Sequence, residues 1–421
     1  MKRKKDEEQV DVEKETDSLK LSKMLIREFN KGENKIAWCL GTDHDNPTEV
    51  KEFISTGSTL VDYIISNRRD GGIPVGKLTE IVGEEASGKS LLAAHLIAEC
   101  QKRGGIAVYI DTENAANPDF MSAVGVDINQ LVYLQPGSVE AVGEAIEKTI
   151  IAVRTKAPNK LCLIVWDSVA NCPTKIELEG DFDLNMNLQL EKSKVLSKMM
   201  RKLTDIWGKE RIAMVFTNQL KTKIGVMFGD PLTTPGGKAI PYAASVRLRL
   251  NRSVQLAEGK PKKGEKEAAP VADGETKGGV YGIHTIAKVI KNRLGPPLRR
   301  CEFDITFARG VDDESSWFDF LHERGEIERD GGFCYYTAYP SGKTSEWRAG
   351  GKDNVGDRGI CFREKQWKET LAENPKMREL VLDHLQKHLV VRYDQKEIKD
   401  LDLDPESLMD AEGVVEALRA S

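Results

Sequence analysis

Between about Lys51 and Gly310 the chain alternates near-continuous apolar runs with stretches of helical periodicity. The runs 78-LTEIVG-83, 106-IAVYID-111, 161-LCLIVWD-167 and 212-IAMVFTNQ-219 show little polar alternation. Such runs suit strands covered on both faces by helices. Between them, 89-KSLLAAHLIAECQKR-103 and the stretches 139–157 and 188–207 repeat apolar residues at helical spacing. Strand and helix in turn predict an α/β fold whose central sheet is mostly parallel and flanked by helices. Three further strands, 244-ASVRLRLNR-252, 282-GIHTIAKVIKNR-293 and 300-RCEFDITFAR-309, are expected to extend the sheet in antiparallel fashion. The interrupting segment 254–279, rich in Lys, Glu, Gly, Ala and Pro, reads as a flexible surface loop.

The ends follow other patterns. Residues 1–19 carry mixed charge with little to bury, whereas Leu19, Leu21, Met24, Leu25, Ile26 and Phe29 form the apolar side of a short amphipathic helix. The stretch 35-KIAWCLG-41 reads as a short strand. Helix and strand together are too small to fold alone. After Gly310 the chain turns aromatic, with Trp317, Phe318, Phe320, Phe333, Tyr335, Tyr336, Trp347 and Trp367, and a helix is expected over about 375–389. This divides the chain into an arm (1–50), a core (51–310), a small α+β domain (311–392) and an acidic tail (393–421).

Composition narrows the classes. The chain has 421 residues, with 62 Lys and Arg against 67 Asp and Glu, a formal charge of −5. That total neither shows nor excludes a local basic surface, so nucleic-acid binding has to be argued from motifs. The apolar runs fall far short of the roughly 20 residues a membrane span needs, and MKRKKDEEQV has no apolar stretch behind its basic residues. A cytoplasmic location is therefore expected. Seven scattered cysteines without a C-x-x-C pair suit reduced thiols. His384 and His388 share a helix face but lack the H-E-x-x-H pattern, so a solvated face is preferred to a metal site.

The strongest chemical signal is 83-GEEASGKS-90, which fits G-x-x-x-x-G-K-[ST] and lies between a predicted strand and a predicted helix. The backbone of Gly83, Glu84, Glu85, Ala86, Ser87 and Gly88 would curl so that successive N–H groups meet phosphate oxygens at the positive helix end. Lys89 would neutralise the β and γ phosphates of ATP, and Ser90 would hold Mg²⁺. Asp167, closing an apolar strand, would supply the carboxylate for that ion. Glu113, two residues past the neighbouring strand, is placed to orient and deprotonate water. Gln219 ends the fourth strand and could sense the γ-phosphate. All four strand ends would reach one rim, where open α/β sheets bind ligands.

At this point the chain resembles the RecA recombinase family, from about Lys20 to Val390. The matching stretches are 54-ISTGSTLVDYII-65, the P-loop 83–90, 109-YIDTENAANPDF-120, 167-DSVANCPTKIELEG-180, 198-KMMRKL-203, 223-KIGVMFGDPLTTPGGKA-239, 245-SVRL-248 and 288-KVIKNR-293. A P-loop alone names only a superfamily; KIGVMFG followed by TT and GG is far more specific. The resemblance makes Lys221 to Gly237 a mobile DNA-binding loop. There Lys221 and Lys223 supply charge, and Met227 and Phe228 can wedge between or stack on bases. It also assigns Lys194, Ser197 and Arg201, on the polar side of the helix 188–207, to the DNA backbone, with Gly236, Gly237 and Lys238. The stretch 180-GDFDLNMNL-188 resembles the family's first DNA loop, with Asp181 and Asp183 added.

Further implications concern assembly. Lys291 and Arg293 match positions from which a neighbouring subunit reaches the γ-phosphate. The arm would pack on the next subunit and propagate a helical filament. The implied partners are single-stranded DNA, a homologous duplex, further copies of the chain, and single-strand-binding and loader proteins. Departures mark a divergent member, of bacterial or phage origin. Phe120 stands where a Tyr stacks on adenine, Asn117 replaces an Asp near the base, and Pro241 replaces a Lys. The implied activity is ATP-dependent strand exchange on single-stranded DNA. The alternatives are a closed-ring DNA motor and a filament that binds ATP without hydrolysing it.

Overall fold

The computed structural model describes residues 17–32, 35–40, 42–43, 46, 49–180, 187–222, 232–257, 280–340 and 358–392. Lys223, Met227, Phe228, Asp181, Asp183, Trp347 and the tail beyond 392 lie outside the described residues. An arm helix α1 (Asp17–Phe29) precedes the core. A two-residue pair, β1 (Phe53–Ile54) with β2 (Ile73–Pro74), flanks α2 (Thr59–Ser66). The parallel strands follow: β3 (Leu78–Gly83), β4 (Ile106–Asp111), β5 (Val132–Leu134), β6 (Cys162–Asp167) and β7 (Ile212–Gln219). Between and beside them run α3 (Lys89–Lys102), α4 (Pro118–Val124), α5 (Val139–Lys156), α6 (Lys175–Glu179) and α7 (Asn187–Lys209).

The chain continues through a short hairpin, β8 (Lys221–Thr222) and β9 (Leu232–Thr233), and α8 (Ala239–Ala243). It then re-enters the sheet as β10 (Val246–Ala257), β11 (Val280–Asn292), β12 (Arg300–Thr306) and β13 (Gly310–Asp312). The nine strands lie in the order β13-β12-β11-β10-β3-β7-β6-β4-β5. Two details differ from the sequence expectation. β10 pairs parallel with β3, and only β11 to β13 are antiparallel. Residues 254–257 belong to β10 rather than to the inserted loop, because they are paired with β11.

The apolar runs are continuous because successive side chains meet different helical layers. Leu163 and Val165 of β6 face a cluster with α2 and α3, while Cys162, Ile164 and Trp166 face α5 and α7. The first cluster extends through Trp317, Phe318, Tyr336, Phe362, Trp367 and Val381 of the C-terminal part. That part comprises α9 (Asp313–Glu323), α10 (Trp367–Glu373), α11 (Pro375–Leu389) and a three-stranded antiparallel sheet. The sheet consists of β14 (Ile327–Asp330), β15 (Phe333–Tyr336) and β16 (Ile360–Phe362). Among the described residues no helix is long and apolar enough to cross a membrane. His384 and His388 both face the Glu326 carboxylate, at 3.2 and 2.9 Å.

Among the described residues 35–40 the expected strand is not formed. Asn30 substitutes for a strand partner: its side-chain oxygen accepts from the backbone N–H of Ile36 and Ala37, and its amide donates to the Ala37 carbonyl. Apolar side chains of this arm, including Met24, Phe29, Ile36 and Leu40, remain exposed.

Candidate nucleotide and DNA site

The P-loop links β3 to α3. Its curl needs left-handed backbone at Ala86 (φ 55°) and Gly88 (φ 93°). At Gly83 a Cβ would fall 2.3 Å from Ser87 Oγ and 2.6 Å from the Leu250 carbonyl, so only glycine fits. The Ser87 hydroxyl donates to the Glu84 carbonyl at 2.9 Å and closes the loop. Lys89 lies inside the curl, its amine donating to the carbonyls of Gly83 (3.2 Å) and Glu84 (2.6 Å). Burial lowers its pKa, against the opposing charges of Asp167, Glu113, Glu85 and Glu84. No side chain caps the start of α3, and Ser90 is exposed in its first turn. This cradle of amides with a lysine at its centre suits a polyphosphate.

Register aligns the remaining rim residues. Gly83 lies opposite Gln219, and Asp111 lies opposite Asp167, so the carboxyl ends of β3, β7, β6 and β4 share one edge. Asp167 is 4% exposed, and its carboxylate accepts from Tyr109 Oη at 2.7 Å and from Thr217 Oγ1. Glu113 accepts from the Ser168 hydroxyl. A serine hydroxyl and an aspartate carboxylate are oxygen donors of the kind Mg²⁺ takes, an ion that keeps several waters and few protein ligands, although both Asp167 oxygens also accept hydrogen bonds here. The backbone N–H of Gln219 donates to Asn218 Oδ1 at 3.0 Å. Phe120 is half-buried in α4, whose first turn is capped by Asn117 accepting from the N–H of Asp119 and Phe120.

Sequence reasoning missed the supporting residues Tyr109, Asp111, Ser168 and Thr217. Their signal was present, as polar side chains inside or just beyond otherwise apolar strands.

The candidate DNA elements start where β7 ends. The β8–β9 hairpin follows Gln219 directly, with Lys221 exposed. Asn218 joins this region to the rim by donating to Glu80 Oε1 at 3.0 Å and to the Pro235 carbonyl at 3.3 Å. Gly236 (φ 90°) and Gly237 (φ 72°) turn tightly against α7: Cβ atoms there would lie 2.5 Å from Leu196 Cδ1 and 2.8 Å from Ser193 Oγ. Lys238 is exposed beside them. On α7, Leu196, Met199, Met200, Leu203 and Trp207 are buried, and Lys194 and Arg201 are exposed. Lys194 pairs with Glu191 at 2.6 Å. Ser197 is half-buried and its hydroxyl donates to the Ser193 carbonyl at 2.7 Å, an engagement the helical wheel did not foretell.

Lys291 and Arg293 lie elsewhere. Lys291 is opposite Arg247, itself opposite Glu80, and the Arg293 N–H donates to the Ser245 carbonyl beside Leu78. Lys291 is therefore level with the middle of β3 and Arg293 with its start, one strand removed from β3 and on the amino side of the P-loop of their own chain. The Lys291 amine donates to the carbonyls of Pro241 (2.7 Å) and Tyr242 (3.0 Å), and Arg293 donates to Tyr242 (3.1 Å).

A family model described as the RecA N-terminal domain matches residues 21–312. The chain belongs to the RecA family. It is 39% identical over 286 residues to the Protein RecA of Trichodesmium erythraeum (strain IMS101), covering 68% of this chain and 71% of that one. Against the Protein RecA of Leifsonia xyli subsp. xyli (strain CTCB07) it is 36% identical over 323 residues, 76% of this chain and 80% of the relative. Against that of Staphylococcus aureus (strain JH9) it is 33% identical over 359 residues, 85% and 89% of the two chains. The RecA match thus spans the P-loop, the rim acids, the β8–β9 hairpin and the Lys291 strand.

Proposed function

We infer that this chain is an ATP-dependent recombinase, which forms a helical filament on single-stranded DNA and exchanges strands with a homologous duplex. One observation carries the reading. The rim that gathers Lys89, Glu113, Asp167 and Gln219 passes directly into the β8–β9 hairpin, so the end of the nucleotide sensor is the root of the DNA loop.

In this reading ATP lies along the P-loop, with Phe120 against its base and Ser90 and Asp167 toward Mg²⁺, which would offset phosphate charge. Glu113, oriented by the Ser168 hydroxyl, takes the proton of the attacking water. Gln219 reports the γ-phosphate to the DNA loop that begins at Lys221. Lys291 and Arg293 serve the nucleotide of an adjacent copy; in their own chain they are level with the middle and start of β3, short of the P-loop at its carboxyl end, and donate to the Pro241 and Tyr242 carbonyls. Lys194, Arg201, Lys221, Lys223 and Lys238 meet phosphates, with Met227 and Phe228 against bases. Sequence specificity comes from base pairing between the strands. The same geometry gives no support to a closed ring.

The test is ATP hydrolysis with and without single-stranded DNA, with filaments imaged and strand exchange measured in parallel. Stimulation by DNA together with ATP-dependent filaments is the expected result. Glu113→Gln should lower turnover about 10²-fold to 10⁴-fold while ATP-dependent DNA binding persists. Turnover unchanged in that variant would remove Glu113 as the base.

A further inference from the structure

Asp111 ends β4 with its carboxylate almost fully buried, at 2% exposure. Its Oδ1 accepts from the backbone N–H of Glu113 (2.9 Å) and Asn114 (2.8 Å), and its Oδ2 from those of Ala115 (3.1 Å) and Ala116 (3.0 Å). A carboxylate that collects four successive amides dictates the shape of the turn, including left-handed Asn114 (φ 56°). Glu113 rides on that turn.

A fifth bond reaches the same carboxylate from outside. The Tyr133 hydroxyl donates to Asp111 Oδ2 at 2.9 Å from β5, the edge strand of the sheet. Desolvation, and then the bond to Asp111, raise the Tyr133 pKa, which keeps this donor protonated. The ring stacks on Tyr109, with centroids 6.3 Å apart, and Tyr109 in turn holds Asp167. Gln135 completes the tie: its amide donates to Tyr133 Oη at 2.7 Å and to Asn114 Oδ1 at 2.8 Å. On the other side, Thr112 bonds the turn to the end of β6, its N–H donating to the Asp167 carbonyl and its hydroxyl to that of Ser168. The Glu113 turn is therefore slung between two strands, and Tyr133 and Gln135 anchor it to the outer one.

We propose that Tyr133 and Gln135 are positioning residues, which pin the Asp111 turn from the edge strand and so fix where Glu113 presents its carboxylate to water. The proposal rests on the reading of Glu113 as the base. A base displaced by about 1 Å loses rate out of proportion to any loss of binding, because in-line geometry is needed only as the reaction proceeds. Three strands separate β5 from β3 and its P-loop, so removing the Tyr133 hydroxyl has a kinetic signature of its own.

The experiment uses the full-length chain with saturating single-stranded DNA. Tyr133→Phe keeps the ring stack and deletes the donor. It should lower kcat about fivefold to tenfold, leaving the KM for ATP and the ATP-dependent DNA affinity within about twofold. Gln135→Met, a second and surface-exposed change, should lower kcat about twofold to fivefold in the same manner. In a Glu113→Asp background Tyr133→Phe should add less than about a twofold loss, because two changes that act through one carboxylate are not additive. A Tyr133→Phe kcat at the wild-type level overturns the proposal, as does a loss shared by KM or an equal loss in both backgrounds. Wild-type turnover in Glu113→Gln would instead overturn the base assignment, and the proposal with it.

Discussion

Glu80 lies in the middle of β3 at 0% exposure, inside a run recognised by its apolar character. It persists there because both oxygens are engaged: Oε2 accepts from Arg247 Nε at 2.5 Å and Oε1 from Asn218 at 3.0 Å. Removing one partner of such a pair leaves an uncompensated charge in the core. Arg247→Met should therefore cost about 3–5 kcal/mol of stability, read from chemical denaturation. An unchanged unfolding midpoint would show that the Glu80–Arg247 pair does not support the core. Lys291 carries a second charge effect. Burial first, then Arg293 and Arg247, bring its amine down to about 8. A lysine with a lowered pKa is charged below that value and neutral above it. The triphosphate of a neighbouring copy would raise that pKa again, so DNA-stimulated hydrolysis should decline at or above about pH 8, and Lys291→Arg should abolish the decline. The candidate residues Lys89, Ser90, Glu113, Asp167 and Gln219 were legible because strand ends and a spaced motif mark them. Asp111 and Ser168 stand at the same strand ends, but their roles were not legible, since their work is done through hydrogen bonds that only folding creates.

At the scale of elements, α7 and the turn at 235–238 act as one surface. Two glycines let that turn approach Ser193 and Leu196, which places Lys238 beside the turn of α7 that carries Lys194. If Lys194 and Arg201 each meet one phosphate, Lys194→Ala and Arg201→Ala should weaken single-strand binding across all sequences. Each should reduce the slope of log affinity against log salt by about 0.7. A slope unchanged in both would take α7 off the DNA path. Elements themselves were largely readable. The strands β3, β4, β6 and β7 and the helices α3, α5 and α7 follow from apolar continuity and helical spacing, because burial on two faces leaves a strong pattern. The stretch 35–39 illustrates the limit: strand-like composition needs an edge to pair with, and within one chain Asn30 takes those backbone groups instead.

For the whole molecule, the assignment of Lys291 and Arg293 to the nucleotide of a neighbouring copy predicts that catalysis needs two copies. Lys89→Ala keeps the donated cations and loses the phosphate site; Arg293→Ala does the reverse. Each alone should be nearly inactive, and an equal mixture should recover roughly a quarter of wild-type turnover, the share of interfaces that random assortment leaves intact. A mixture no faster than its components would place both functions in one chain. The exposed apolar side chains of the arm accord with such assembly, for they find no cover within the described residues of a single chain. The amino-acid sequence by itself determined the alternation of strand and helix, the P-loop and the acids at strand ends, since these depend on local pattern and short spacing. Strand order, the parallel entry of β10 beside β3, the Asp111 turn anchored from β5 and the remoteness of Lys291 were decided by tertiary structure. Each depends on which distant segments hydrogen-bond side by side, and no local periodicity records that choice.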